Sequence, residues 1–177
     1  SLSPLLHNYW FKKYRFLDSI YEKKKVERKD LKKIVEQIKN DEIKGVNVTV
    51  PFKRKIFDLI DTAPHEVQFT KSVNTLVKEN DKVVGYNTDQ QGFEISLEEN
   101  DWDCKDKKIL IIGAGGVTPS ILSTLIKVDG AEKIYLSNRT RSKAEELKKF
   151  WDKALGIYQM KKDTIEIIDW EKKSELC

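Results

Sequence analysis

The stretch Lys107–Gly116 reads KKILIIGAGG and constrains the fold more than any other part of the chain. A short apolar run bounded by turn residues has the character of a strand. The glycine turn Gly113-Ala114-Gly115-Gly116 follows it directly. An apolar helical stretch over Ser120–Val128 comes next, with Gly130 as its stop signal. A second strand pattern, KIYLSN, starts at Lys133, and a third covers Thr164–Ile168. Strands that alternate with helices pair in parallel through crossover connections.

A glycine turn between a strand and a helix is the context a dinucleotide-binding turn requires. Glycine permits the tight turn and lets backbone N–H groups approach a pyrophosphate. The order of elements favours nucleotide binding over a plain tight turn. The fit to G-x-G-x-x-G is imperfect, because Thr118 holds the third glycine place, and Pro119 is compatible with the first turn of a helix. The end of the second strand sharpens the reading. A site for NAD places an acid there to hold the ribose 2′-hydroxyl. This chain has Ser137-Asn138-Arg139-Thr140, followed by Arg141 and Lys143, and no acid before Glu145. A guanidinium and hydroxyls suit a 2′-phosphate, so the residues point to NADP. Ser142 and Glu145 have the spacing of a capping box that opens the next helix.

The first hundred residues have a different character. Ser3-Pro4 has the signature of a helix N-terminus, with Ser3 as the cap. A short strand is expected within Phe16–Tyr21. Asp30 is expected to cap an amphipathic helix in which Leu31, Ile34, Val35 and Ile38 have the spacing of one face. In GVNVTVPFK, from Gly45 to Lys53, the valines alternate as on a buried strand face and Pro51 ends the ladder. Lys53–Ile60 carries a helical pattern. Ser72–Lys78 and Lys82–Tyr86 flank Asn80-Asp81 as a hairpin. Asp89–Asn100 is expected to be helical. The chain therefore divides near residue 100, into an α/β unit over 1–100 and a partial Rossmann-type unit over 101–177.

Of the 177 residues, Lys plus Arg number 33 against 29 acids, a net charge of +4. Basic residues interleaved with acids mark solvated helix faces, not a nucleic-acid footprint. Cys104 and Cys177 lack metal-ligand spacing and form no disulfide framework, so no metal is expected. No apolar run reaches membrane-spanning length, and a cytoplasmic setting is the simplest reading.

Polar clusters punctuate the first unit: SLSP with HN, NVTVPFK, SVNT and YNTD. Each taken alone is ordinary capping and turn chemistry. Together with GAGG and NRT, in this order and spacing, they closely resemble the shikimate dehydrogenase family, over Ser1 to about Lys143. The resemblance implies an α/β substrate domain and a Rossmann-type NADP-binding domain with the active site between them. It implies NADP-dependent reduction of 3-dehydroshikimate to shikimate in aromatic amino-acid biosynthesis. It implies that Lys53 is the catalytic lysine and Asp89 its partner, and that Ser1 and Ser3 bind the substrate carboxylate. Thr49 and Asn74 match substrate-binding positions, and Asn47 shapes the pocket. Gly113, Ala114, Gly115 and Gly116 match the pyrophosphate turn, and Asn138, Arg139, Thr140 and Lys143 the 2′-phosphate site. The partner is a small molecule, and the assembly a monomer or homodimer. Gln90, and Thr118-Pro119, depart from the family pattern in ways expected to alter loops and not chemistry. Against that pattern, a strand before Ser1 and elements after the third nucleotide-domain strand are expected to lie outside the chain. Rival readings are a quinate or dual-specificity dehydrogenase, a methylenetetrahydrofolate dehydrogenase-like protein, and a non-catalytic nucleotide- or partner-binding fragment. The paired serines and NTD argue against the second of these.

Overall fold

The computed structural model describes residues 1–128, 130–157 and 163–176. Two three-stranded sheets organise the chain, one antiparallel and one parallel. Among the described residues no helix is long and apolar enough to cross a membrane.

The first unit begins with α1 (Ser3–Lys13), which buries none of its residues. Ser3 lies inside the helix and Leu2 occupies the cap position, so the expected Ser3 cap is corrected. Ser1 takes over: its Oγ accepts the Ser3 N–H at 3.2 Å and donates to Ser3 Oγ at 2.9 Å. The expected strand within Phe16–Tyr21 does not form. Its backbone bonds go elsewhere. Phe16 N–H donates to the Phe11 carbonyl at 2.8 Å and Ser19 N–H to the Phe16 carbonyl at 3.2 Å. At Tyr21 the Asn8 carboxamide donates to the carbonyl and accepts the N–H, at 2.9 and 2.8 Å. These partners satisfy backbone groups that a neighbouring strand would otherwise pair.

The helix α2 (Leu31–Lys39) buries Leu31, Ile34, Val35 and Ile38, the face its spacing specified. Asp30 stands at the cap position of α2, as expected, but its side chain does not cap the helix; its Oδ2 accepts the Glu27 N–H at 2.7 Å instead, closing the 3-10 turn that leads in. Strand β1 (Gly45–Asn47) pairs antiparallel with β2 (Thr75–Glu79), which pairs with β3 (Lys82–Tyr86). The hairpin turns at Asn80 and Asp81, both at positive φ. Leu76, Val73 and Val83 bury against α2 in one core. β1 is shorter than expected, although the Val48 N–H still reaches the Asn74 carbonyl at 2.7 Å. The expected helix over Lys53–Ile60 is replaced by turns and a 3-10 segment, Phe57–Leu59. The cause is tertiary: the Lys53 carbonyl accepts from Val73 N at 2.9 Å, so it is taken by the next segment and not by a helical turn. A short helix α3 (His65–Thr70), unforeseen in the sequence, then leads back to β2.

After α4 (Thr88–Glu98) the second unit runs β4 (Lys108–Ile112), α5 (Thr118–Ser123), β5 (Lys133–Ser137), α6 (Arg141–Ile157) and β6 (Ile165–Ile168). Its strands pair in parallel in the order β4-β5-β6, as the alternation of strands and helices specified. Five residues of π-helical geometry, Thr124–Val128, extend α5, and Gly130 adopts φ +64°. The expected capping box at Ser142 is absent. α6 already starts at Arg141, and Glu145 accepts from Arg141 Nε at 2.8 Å instead. The second core gathers Leu122, Leu125, Ile134, Leu136, Leu147, Trp151 and Leu155 between sheet and helices.

Candidate active site

The end of β1, the start of β2 and the start of α4 converge. Lys53 Nζ lies 2.6 Å from Asp89 Oδ2, and the two side chains are only 12% and 20% exposed. A charge-assisted contact of this length, partly withdrawn from water, holds both groups far more firmly than a surface pair would. The other Asp89 oxygen, Oδ1, accepts from Asn74 Nδ2 at 3.0 Å. Asn74 also donates to Thr88 Oγ1 at 2.9 Å, while its Oδ1 accepts the Thr88 N–H at 3.0 Å. Both carboxylate oxygens are therefore oriented, one toward the ammonium and one toward an amide.

The polar chain continues across the sheet. Thr75 Oγ1 donates to Asn74 Oδ1 at 3.0 Å, and Asn47 Nδ2 donates to Thr75 Oγ1 at 3.1 Å. The register Asn47↔Thr75 makes this contact, since paired residues on one face of an antiparallel ladder touch. Tyr21 Oη then donates to Asn47 Oδ1 at 2.9 Å, and His7 of α1 stacks on the Tyr21 ring at 4.2 Å. Of the residues expected from the sequence, Lys53, Asp89, Asn74 and Asn47 thus belong to one bonded network. Ser1 and Ser3 bond to each other at the start of α1, apart from that network, and Thr49 is exposed at the end of the β1 segment. Thr75, Thr88 and Tyr21 were missed by sequence reasoning. The VNT and NTD clusters contained two of them, but only the strand register shows which hydroxyls meet.

The glycine turn faces this network. A Cβ on Gly116 would stand 3.3 Å from Val50 Cγ2 and 3.7 Å from Lys53 Cδ, so the turn and the lysine stem are near contact. Gly113 needs its φ of +122°, a conformation that other residues rarely adopt. Thr118, in the third glycine place, staples the turn: its Oγ1 donates to the Gly113 carbonyl at 3.1 Å and accepts the Gly115 N–H at 2.9 Å. Asn138 ties the turn to the next loop, accepting from Ala114 N at 3.1 Å and donating to the Thr140 carbonyl at 2.7 Å. Arg139, Thr140 and Lys143 occupy exposed positions beyond β5. Arg141 is held by Glu145 and Asp169, and this pairing raises its pKa. These residues fit a dinucleotide. Gly113 and Gly115 border open space that side chains would fill, and Arg139 and Lys143 lie exposed just past the end of β5, the strand end at which a ribose is read in Rossmann-type sites.

A lysine–aspartate pair at the seam between an α/β unit and a Rossmann-type glycine turn defines the class as a two-domain dinucleotide-site protein. Residues 1–76 match the family model for the shikimate dehydrogenase substrate binding domain, and residues 94–169 that for shikimate / quinate 5-dehydrogenase. The NADP(+) shikimate dehydrogenase of Pelagibacter ubique is 45% identical over 96% of this chain and 59% of its own. The structure of Listeria monocytogenes shikimate 5-dehydrogenase with shikimate and NAD superposes with a TM-score of 0.80 at 30% identity, covering 99% of this chain and 59% of that one. The Thermus thermophilus enzyme, in complex with NADP(H) and shikimate, gives 0.75 at 26% identity, over 97% and 59%. The chain belongs to the shikimate dehydrogenase family. It spans somewhat more than half the length of the curated relatives it matches.

Proposed function

We propose that this chain carries the catalytic pair and much of the cofactor site of an NADP-dependent shikimate dehydrogenase, which reversibly reduces 3-dehydroshikimate to shikimate in aromatic amino-acid biosynthesis. The observation that carries the reading is the Lys53–Asp89 pair set against the glycine turn. Bound NADPH supplies the hydride. As the ketone oxygen gains charge, the Lys53 ammonium stabilises it and donates the proton. In the reverse direction neutral Lys53 accepts the proton of the hydroxyl. Asp89 orients Lys53 and accepts a hydrogen bond from the same hydroxyl, while Asn74 keeps the carboxylate in place. Ser1 and Ser3 take the substrate carboxylate, and Thr49 and Asn74 its ring hydroxyls. Gly113 to Gly116 receive the pyrophosphate. Asn138 shapes the adjoining loop, and Arg139, Thr140 and Lys143 select the 2′-phosphate. The enzyme acts on a small molecule in the cytoplasm, as a monomer or homodimer.

The test is steady-state oxidation of shikimate with NADP, compared with NAD and with quinate. Turnover is expected with NADP and shikimate, and much less with either substitute. Lys53→Ala should remove about 10²–10⁴ of the rate, the range for a positioned acid–base group, while shikimate still binds. A near-normal rate in that variant would exclude Lys53 from the role.

A further inference from the structure

Asp89 and Lys53 come from the first unit and the glycine turn from the second, so the pair and the cofactor site must be kept in register across a seam. Asn87 sits on that seam, half-buried just before α4. Its Oδ1 accepts the Asp89 N–H at 3.0 Å. Its Nδ2 donates to the Ser72 carbonyl and to Ser120 Oγ, each at 2.8 Å. Ser120 is fully buried in the first turn of α5, shortly after the glycine turn. Ser72 is buried as well, and its own Oγ donates to the Gly116 carbonyl at 3.4 Å.

We propose that Asn87 is a positioning residue for the reaction, a strut whose one carboxamide fixes the backbone of Asp89 against the helix that follows the glycine turn. Asparagine is a common helix cap, and capping alone accounts for the bond to Asp89. It does not account for the two donors. Exchanging oxygen and nitrogen would set oxygen against the Ser72 carbonyl and an amine against the Asp89 N–H, so the network admits one orientation. Serine or aspartate could supply the capping oxygen, but neither can also donate to two acceptors. The side-chain contacts of Asp89 lie within the first unit, whereas Asn87 links its main chain to the second. The catalytic consequence rests on the function proposed above. The strut itself does not.

Asn87→Ser keeps a capping oxygen and cannot make both donor contacts. Ser120→Ala removes the far end without touching Asp89. Hydrogen exchange of the purified protein is the first readout. Ser120→Ala, although it lies in the second unit, should accelerate exchange at residues 88–90 as Asn87→Ser does, and the double variant should add little. Unchanged exchange at 88–90 in Ser120→Ala would reduce Asn87 to a helix cap and overturn the proposal. Turnover is the second readout. Each variant should lose about tenfold in kcat, less than the ~100-fold cost of a 1 Å misplacement, with the KM for shikimate within about twofold, as expected when transition-state stabilisation alone is lost. An unchanged kcat would remove the positioning role. If the unsubstituted protein does not oxidise shikimate with NADP, the proposed function falls, and exchange at 88–90 still decides the strut.

Discussion

Asp61 shows how a single side chain couples this fold to pH. Its Oδ2 accepts the Val83 N–H at 2.8 Å, and Lys39 Nζ stands 3.5 Å from Oδ1. The backbone hydrogen bond, with help from Lys39, lowers its pKa below the ordinary carboxylate value. A carboxylate whose folded pKa lies below its unfolded one adds stability that is present above the unfolded value and lost as pH falls through the folded value. Asp61→Asn should therefore lower the melting temperature at neutral pH, and the gap to the parent should close in acid. Melting curves across that pH range check it, and a constant gap would mean that Asp61 acts by shape alone. Arg139 makes a second residue-scale prediction. Arg139→Ala should weaken NADP binding by roughly 10- to 150-fold, the worth of a charged hydrogen bond of about 1.5–3 kcal/mol, and leave NAD binding nearly unchanged in a titration. At this scale the sequence was only partly legible. Lys53 taken alone reads as an ordinary solvent-facing lysine after a strand, and only its place among the family motifs singles it out. Thr75 and Tyr21 were invisible because their roles depend on which residues the sheet register and the stacked His7 bring together.

Among the elements, legibility followed local sufficiency. α2, strand β3 and strands β4 and β5 carry their own periodicity and turn residues, and they formed where the pattern put them. β2 instead starts at Thr75, three residues later than expected, because the Ser72 carbonyl and the Val73 N–H bond to Asn87 and Lys53. Segments whose backbone bonds go elsewhere did not. Lys53–Ile60 lost its helix because Val73 takes the Lys53 carbonyl, and Phe16–Tyr21 lost its strand to the turn bonds at Phe16 and Ser19 and to Asn8. The β4–α5 turn is a case where a departure from the expected motif is compensated. Thr118 replaces a glycine yet bonds both Gly113 and Gly115, and it is buried. Thr118→Val keeps the shape and removes the hydroxyl, leaving the Gly115 N–H without that partner. A loss of about 1–3 kcal/mol in unfolding free energy is expected, together with weaker NADP binding by calorimetry and unaltered shikimate binding. Equal weakening toward both ligands would mean that the turn supports the whole seam and not the cofactor side alone.

The two sheets are distinct, but the packing between them is shared. Phe69 belongs to α3 of the first unit and lies 4% exposed inside the second core, its ring edge-on to Trp151 with centroids 4.9 Å apart. Lys127 Nζ sits 3.3 Å from the centroid of the same ring, and burial lowers the lysine's pKa, opposed by the charge of Glu66. Leu97 of α4 joins that core too, and Arg54 lies over Phe150. Hydrophobic spacing could not reveal this, because an apolar side chain at residue 69 says nothing about which core receives it. The peg makes the relation of the two units a matter of packing and not of linker length. Phe69→Ala should cost about 3–5 kcal/mol, as for other buried aromatic truncations. It should also change how the molecule unfolds. With the peg in place, tryptophan fluorescence and far-ultraviolet circular dichroism should report one coincident denaturant transition. Without it the two probes should separate, because Trp151, the one fully buried tryptophan of the four, dominates the fluorescence change and reports the second core, while the antiparallel hairpin unfolds on its own curve. Coincident transitions in Phe69→Ala, with a loss under about 1 kcal/mol, would place the coupling in the Asn87 and Ser72 hydrogen bonds and not in the aromatic peg.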